Sequence, residues 1–137
     1  MCYLCYLLSG SFGRLRMFGA DIYVRITRNL IRVKNLKAGR DAQGIPDTPF
    51  TTTRLLVGNF ESAQRTLKSA IAQSGGSLFL VSPNVLMHPL EMVEGGLSQI
   101  EERIFRELAV GAGAKKVVVW VGAELPDTEV SARLGGD

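Results

Sequence analysis

The residue types that could do chemistry are few in this chain and widely spaced. His88 is the only histidine, and it stands between Met87 and Pro89 in a segment that predicts a loop. A histidine there is more often a surface or partly packed residue than a general acid or base. Five acids fall in predicted loops or near the C-terminus without the spacing of a metal-binding pair: Glu91, Glu94, Glu124, Asp127 and Glu129. We therefore predict no catalytic residue and no metal site.

The glycine-rich sequence GAGAKK, residues 111–116, differs from a phosphate-binding loop. A phosphate cradle needs the order strand, loop, helix, so that a helix N-terminus faces the anion. Here the glycines lie between the end of a predicted helix and the start of a predicted strand. The better interpretation is a helix C-terminus.

Cys2 and Cys5 form one Cys-x-x-Cys sequence without a second pair or a nearby histidine, which makes a poor zinc or redox site. The apolar run around them is too short to span a bilayer, and it lacks the positive leader and cleavage site of a signal peptide. We expect a cytoplasmic protein with reduced thiols, and peripheral membrane contact is the alternative. Met17 opens a more natural start, so residues 1–16 are predicted to be an extension outside the fold.

Positive charge is concentrated in residues 14–40. The net charge of the chain is +3; this segment holds eight basic residues and the single acid Asp21, which gives +7 and leaves −4 for the remainder. A basic segment can meet nucleic acid, anionic lipid or an acidic partner, but a solvated strand face is the more frequent case.

A β-hairpin is predicted between Asp21 and Leu36, because apolar and polar side chains alternate through both strands. Only Thr27, Arg28 and Asn29 remain for the turn. The alternation assigns one face to the core: Ile22, Val24, Ile26, Ile31 and Val33. Basic side chains then point the other way: Arg25, Arg32 and Lys34.

Two amphipathic helices are predicted further along the chain. Asn59 can cap the first, which Gly75 and Gly76 can end, and its apolar residues recur at helical spacing: Phe60, Ala63, Leu67, Ala70 and Ile71. Ser98 and Glu101 have capping-box spacing for the second, with its apolar residues at i, i+4 and i+8: Ile100, Ile104 and Leu108.

The remaining segments complete the predicted order β-β-(β)-α-β-α-β. SLFLVSP, residues 77–83, favours a buried central strand, and KKVVVWV, residues 115–121, the most buried strand of all. NVLMHPLEMVEGG, residues 84–96, predicts a loop; so does the Gly- and Pro-rich segment after the hairpin, with a short strand within it or after it, for which TRLLV is a candidate. This order predicts one α/β domain at residues 17–130, a mixed sheet with helices packed on it, and a tail at 131–137.

Several segments together resemble the MreB rod-shape family of bacterial actin homologues. VGNFESAQRTLKSAI is similar to the family's helix I-A-D-F-x-x-T-E-x-M-L-K, and LFLVSP to its strand V-V-I-C-V-P. IEERIFRELAVGAGAKKVVV resembles V-E-K-R-A-V-R-E-S-A-x-x-A-G-A-R-E-V-Y-L, and GAELPDTE resembles G-A-G-L-P-V-T-E. The resemblance covers roughly residues 18–130 and implies one actin-like ATPase (ribonuclease H-like) subdomain of a protein that normally has two halves.

The departures from that family concern its nucleotide site. Where the family's first hairpin reads D-L-S-I-D-L-G-T-A-N-T-L-I-Y-V, this chain keeps Asp21 at the first acid but has Arg25 at the position of the catalytic acid and lacks the glycine. The phosphate hairpin is therefore degenerate at Arg25, Thr27, Arg28 and Asn29. An arginine cannot hold Mg²⁺ or orient water as a carboxylate does. The second half of an actin-type site is also missing, so ATP and Mg²⁺, which the resemblance implies, are not favoured as cofactors.

Three functions remain open from the sequence. The first is a non-catalytic MreB-like protein that acts through contacts with itself or with the cell-shape or division machinery. Its candidate partner contacts lie in the predicted loop at 84–96: Val85, Leu86, Met87, Leu90, Met92 and Val93. The alternative for those residues is a lid over the domain's own core. The second function is residual ATP binding. The third is a basic module for nucleic acid or anionic membrane that uses Arg25, Arg28, Arg32 and Lys34, although only Tyr23 is available there to stack on bases.

Overall fold

The computed structural model describes residues 20–75 and 82–135. The elements in chain order are β1 (Asp21–Thr27), β2 (Leu30–Asn35), β3 (Arg40–Gly44), α1 (Phe60–Gln73), β4 (Asn84–Pro89), α2 (Gln99–Gly111), β5 (Lys116–Val119) and α3 (Asp127–Arg133). The predicted mixed α/β class and order of elements are confirmed. A third helix, α3, follows them.

The five strands form one sheet in the order β3-β2-β1-β4-β5. β2 pairs antiparallel with both β1 and β3, whereas β4 pairs parallel with β1 and with β5. Arg28 and Asn29 alone form the turn between β1 and β2, and Asn29 takes a left-handed conformation with φ 51°. The predicted hairpin is therefore confirmed, together with its inward-facing apolar residues.

One face of the sheet carries the main core. α1 packs over β2 and β3, α2 packs over β4 and β5, and the two helices contact each other. Leu67, Ile71 and Leu108 are fully buried between the helices and the sheet, and each such side chain contributes about 1.5–3 kcal/mol through burial. Gly44 allows the close approach of α1, because a Cβ there would lie 2.9 Å from the carbonyl oxygen of Thr66.

The opposite face carries a smaller apolar cluster under α3. Tyr23, Leu86, Val130 and Leu134 are buried in it. Polar contacts also hold the helix: Ser131 Oγ donates to Asp21 Oδ2 at 3.2 Å, and Lys34 Nζ lies 2.9 Å from Asp127 Oδ2. The predicted boundary between domain and tail at residues 130 and 131 thus falls inside a packed helix.

The N-terminal capping residues predicted for both long helices are confirmed. The side chain of Asn59 accepts from the N–H of Ser62, and Ser98 and Glu101 form a reciprocal capping box. Gly75 and Gly113 follow the two helix ends with positive φ, as expected for C-terminal glycines.

The strands after the hairpin differ from the predictions in three respects. Residues 77–81 of the strand predicted at 77–83 lie outside the described residues. The segment predicted as a loop after it contains β4, an interior strand beside the central strand β1. TRLLV, residues 53–57, is not a strand; the third strand is β3, within the preceding segment. β5 is an edge strand with partly exposed side chains rather than the most buried strand. An apolar run in the sequence does not by itself distinguish a central strand from an edge strand.

Ile100 also differs from its prediction. It is 73% exposed. The buried side of the helix consists instead of Phe105, Leu108 and Ala109.

Candidate functional site

The turn between β1 and β2 is the place where the sequence predicted a degenerate phosphate site. The backbone N–H of Arg28 donates to Glu91 Oε1 at 2.7 Å, and the backbone N–H of Asn29 donates to Thr51 Oγ1 at 3.0 Å. The side chain of Asn29 in turn accepts from the backbone N–H groups of Phe50 and Thr51, both at 2.9 Å. The donors that a phosphate would need are therefore occupied by acceptors of the protein itself.

Asp21, which the resemblance to MreB proteins aligns with their first acid, connects several elements of the fold. Asn84 Nδ2 donates to Asp21 Oδ1 at 3.2 Å, and Ser131 donates to the other carboxylate oxygen. The carboxylate thus joins β1 to β4 and to α3, and this use of both oxygens gives it a structural role.

The basic residues predicted to form one face divide into two groups. Arg25, Arg32 and Lys34 lie on the sheet face opposite the main core, as their alternation predicts. Arg28 lies apart from them in the turn, where its guanidinium is 3.5 Å from Glu91. Since Lys34 pairs with Asp127, the face is partly neutralised by acids of the C-terminal segment.

Arg25 has an unusual environment on this face. Its side chain is only 17% exposed, yet its contact with Glu124 is a single long one of 3.4 Å from Nη1. Its Nε is buried without a hydrogen-bond partner among the described residues. The guanidinium lies 5.0 Å from the centroid of the Tyr23 ring, a cation–π distance, and Arg32 stands directly opposite on β2.

His88 is fully buried, so the prediction of a surface or partly packed position is wrong. Its Nε2 lies 2.9 Å from the Gly122 carbonyl oxygen, which can only accept, so Nε2 carries the proton. Its Nδ1, 2.8 Å from the Tyr23 hydroxyl, then accepts from Tyr23, whose oxygen accepts from the backbone N–H of Leu125. Every polar atom of this chain of hydrogen bonds has a partner, which explains how a histidine fits inside the sheet.

Burial shifts the pKa values of both aromatic groups in this network. Burial lowers the pKa of His88 from 6.5; the hydrogen bond to Gly122 and the charge of Glu124 act in the opposite direction, and Arg25 adds to the lowering. Burial likewise raises the pKa of Tyr23 above 10.0. The neutral forms of both groups are therefore the ones that the fold favours.

The predicted contact loop is only partly a loop. Val85, Leu86 and Met87 lie in β4 with fully buried side chains, so the hypothesis that they contact a partner is wrong. β4 is an interior strand that pairs parallel with β1 and β5, and both of its faces are covered. The other three candidates, Leu90, Met92 and Val93, follow the strand and are partly exposed.

Two of these candidates, Met92 and Val93, border a shallow, mainly apolar depression. Its empty volume is about 250 Å³, open solvent included, which is smaller than most small-molecule pockets. Loop residues, the segment after β4 and α2 contribute its apolar lining: Leu55, Leu56, Val57, Met92, Val93, Leu97, Ile104 and Phe105. Met92 packs on the main core, so the lid interpretation holds for this residue.

Two kinds of feature are missing from the part of the chain that is described. Within 20–75 and 82–135, no three His, Cys, Asp or Glu side chains are grouped as metal ligands would be. No helix in these ranges is both long and apolar enough to cross a membrane. Cys2 and Cys5 lie outside the described residues.

Sequence reasoning missed the residues that complete these sites. Thr51 and Glu91 lie in loops, and their roles depend on contacts with a turn 22 and 63 residues away. The Tyr23–His88 pair had no signal in the sequence, since His88 lies in a segment that was predicted as a loop. Only the register that places β4 beside β1 brings them together.

Comparison with known proteins identifies a relative of this chain. No protein-family model matches it. The chain is 39% identical over 123 residues to the uncharacterized protein YjaA of Escherichia coli (strain K12), and the aligned part covers 82% of this chain and 95% of that protein. With this identity across nearly the whole of the relative, the chain belongs to the same family as YjaA.

Proposed function

We propose that this protein is non-catalytic and works through protein–protein contacts, as an MreB-like single actin-type subdomain in bacterial cell shape or division. The observation that carries the non-catalytic part is the occupied turn, where Arg28 and Asn29 donate their N–H groups to Glu91 and Thr51. A nucleotide phosphate would have to displace both acceptors, one of them a carboxylate.

Two residues of β1 support the same conclusion. Arg25 stands where the catalytic acid of MreB proteins would be, and Asp21, at the start of the strand, is held by Asn84 and Ser131. Metal-assisted phosphoryl transfer needs a free carboxylate that can bind Mg²⁺ or a water. No carboxylate beside the turn meets that need, because Glu91 is bound to Arg28.

The actin-type part of the proposal draws support from the order of elements and from the placement of the motifs. A hairpin, a third strand and then strands alternating with helices follow the order that the resemblance implies. The most specific motif, residues 100–119, occupies α2 and β5. The proposed role in cell shape rests on the resemblance of these motifs to those of MreB proteins.

The surface that suits a protein partner lies around the apolar depression. Ile100 projects from α2 with 73% of its surface exposed, and Ile104, one turn later, lines the depression with Val93 and Leu97. Single exposed apolar residues are normal on protein surfaces, but contiguous ones mark contact sites more often. A shallow apolar area of this kind fits a protein side chain better than a cofactor.

A photo-crosslinking residue at position 100 tests the contact hypothesis in the native host. We expect a discrete crosslinked species that is absent when the same residue replaces Lys68, which is exposed on α1. A cell-shape or division protein in that species would support the narrower proposal. An identical pattern at both positions, or none at position 100, would contradict the contact surface.

Titration with ATP and Mg²⁺ tests the non-catalytic part separately. We expect neither micromolar binding nor hydrolysis. Turnover that is lost on changing Asp21 to Asn would instead favour residual nucleotide chemistry. The nucleic-acid alternative is less favoured, because Lys34 and Arg28 are already paired with acids.

A further inference from the structure

A row of polar side chains crosses the sheet on the face opposite the main core. Arg25 on β1 lies beside His88 on β4 and directly opposite Arg32 on β2, which in turn lies opposite Gln43 on β3. Directly opposed residues in antiparallel strands have Cβ atoms about 4.5–5.5 Å apart, and like charges at such positions are destabilising. The two arginines are therefore held together by the register of the hairpin, against their mutual repulsion.

Arg25 is poorly satisfied for a largely buried cation. A guanidinium has five N–H donors, and the described residues give it one hydrogen bond of 3.4 Å, to Glu124. Its Nε has no acceptor among the described residues. Buried charges normally gain hydrogen bonds that offset their desolvation, so a donor left open here calls for an acceptor beyond those that residues 20–75 and 82–135 supply.

Arg32 adds a second cation at the same place. Within residues 20–75 and 82–135, no acidic group lies within 4.0 Å of it, whereas Lys34, in the next pair along, has Asp127. Glu124 approaches Arg25 from the segment after β5 and is itself 54% exposed. Among the described residues, the two positive charges thus have one carboxylate in contact, and it contacts Arg25 rather than Arg32.

We propose that Arg25 and Arg32 form a binding site for a single oxyanion, a carboxylate or phosphate group of a ligand. Planar guanidinium forks match these groups geometrically, and two of them can bracket one anion while relieving their own repulsion. Glu124 then acts as an internal competitor, which holds Arg25 when no ligand is bound. This site differs from the hairpin turn and does not depend on the proposed function.

The groups around Arg25 and Arg32 restrict the direction from which a ligand can reach them. His88 closes the β4 side with a neutral ring that is fully buried, and α3 lies over the earlier part of β1, where Ser131 meets Asp21. The open side is above Arg32 and toward β3, where Gln43 is exposed. A ligand would enter there and displace the Glu124 carboxylate.

NMR detection of the arginine Nε–Hε groups tests the proposal on the full chain in chloride buffer. Inorganic phosphate and acetate are titrated separately, and we expect saturable shifts of the Arg25 and Arg32 signals with at least one of them. The anion that saturates at the lower concentration identifies the preferred class.

Matched variants make the test specific. Arg32→Gln should weaken binding by about tenfold or more, the size of one charge-assisted hydrogen bond. Arg103→Gln removes the same charge from an exposed position on α2 and should leave binding unchanged. Glu124→Gln should tighten binding several-fold, because it removes the competitor.

Three results would overturn the proposal. The first is the absence of a saturable shift with either anion. The second is an equal loss in the Arg32→Gln and Arg103→Gln variants, which would indicate only nonspecific attraction. The third is unchanged or weaker binding in Glu124→Gln. Because Arg32 and Glu124 are both partly or largely exposed, these variants are expected to fold.

Discussion

The backbone N–H of Arg28 lies 2.7 Å from Oε1 of Glu91, a carboxylate 63 residues later in the chain. The contact joins the tip of the β1–β2 hairpin to the segment that leaves β4. It also places a negative charge at the turn, where the resemblance to MreB proteins predicts a phosphate. In our proposal the same hydrogen bond therefore stabilises the hairpin and opposes nucleotide binding.

Removing this carboxylate should destabilise the protein. In Glu91→Ala the Arg28 N–H loses its protein acceptor, and we expect a loss of about 1–2 kcal/mol in the free energy of unfolding. Glu91→Gln keeps an acceptor oxygen and should lose less. Urea denaturation measures both. Glu94→Ala, at an exposed position three residues later, is the control; an equal loss there would show that the contact contributes nothing.

Asn29 combines a backbone requirement with two hydrogen bonds, and substitutions can separate them. Asn29→Gly keeps the left-handed conformation and loses the acceptor of Phe50 and Thr51, which should cost about 1–2 kcal/mol. Asn29→Ala loses the same acceptor and, unlike the glycine variant, keeps a Cβ at φ 51°, a conformation that asparagine tolerates better than alanine, so it should cost about 1 kcal/mol more than Asn29→Gly. Thermal or urea unfolding of the two variants would refute the conformational part if their stabilities were equal.

The buried His88 should make stability depend on pH. Its pKa is lowered in the folded state from 6.5, so the unfolded chain binds the proton more readily. The contribution of neutral His88 is fully present above pH 6.5 and is lost as the pH falls through that value toward the folded pKa. His88→Gln should remove this component of the pH profile between about pH 7.5 and 5, above the range where most carboxylates titrate.

This pH profile is simple to interpret because the chain has one histidine. Urea midpoints across the same range give the slope directly. A His88→Gln variant with the same slope as the parent protein would show that another group is responsible.

The Tyr23 hydroxyl should be energetically coupled to His88. Tyr23→Phe leaves the Leu125 N–H and His88 Nδ1 without their partner, at a cost of about 1–3 kcal/mol. The stability loss of the double variant Tyr23→Phe/His88→Gln should be smaller than the sum of the two single losses by about 0.5 kcal/mol or more, the range seen for groups in one network. Additive losses in a double-mutant cycle would contradict the network.

The periodicity of apolar residues predicted those elements that have one face in the core and the other in solvent. The hairpin and α1 each have one buried and one exposed face, so Val24 and Arg25, or Leu67 and Lys68, report the orientation by their chemistry. Capping residues such as Asn59 and Ser98 act locally and could be recognised for the same reason.

The rest depended on contacts between distant residues. β4 was predicted as a loop, and Asn84, His88 and Pro89 are uncommon residues in an interior strand; His88 is accommodated only through Tyr23 and Gly122. The valines of β5 do not distinguish an edge strand from a central one, since both faces of an edge can be covered. The arginine pair was visible as two basic residues, but its exact opposition follows from the register of the hairpin.

The central position of β1 has a consequence for folding. Its antiparallel neighbour follows after two residues, whereas its parallel neighbour pairs Asp21 with Asn84. The meander of β1, β2 and β3 can form early from contacts that are close in sequence, but β4 and β5 can join the sheet only after the long segment between β3 and β4 has closed. Until that closure one side of β1 has unpaired backbone groups, so the nascent chain is most vulnerable to misassociation between the synthesis of its third strand and that of its fourth.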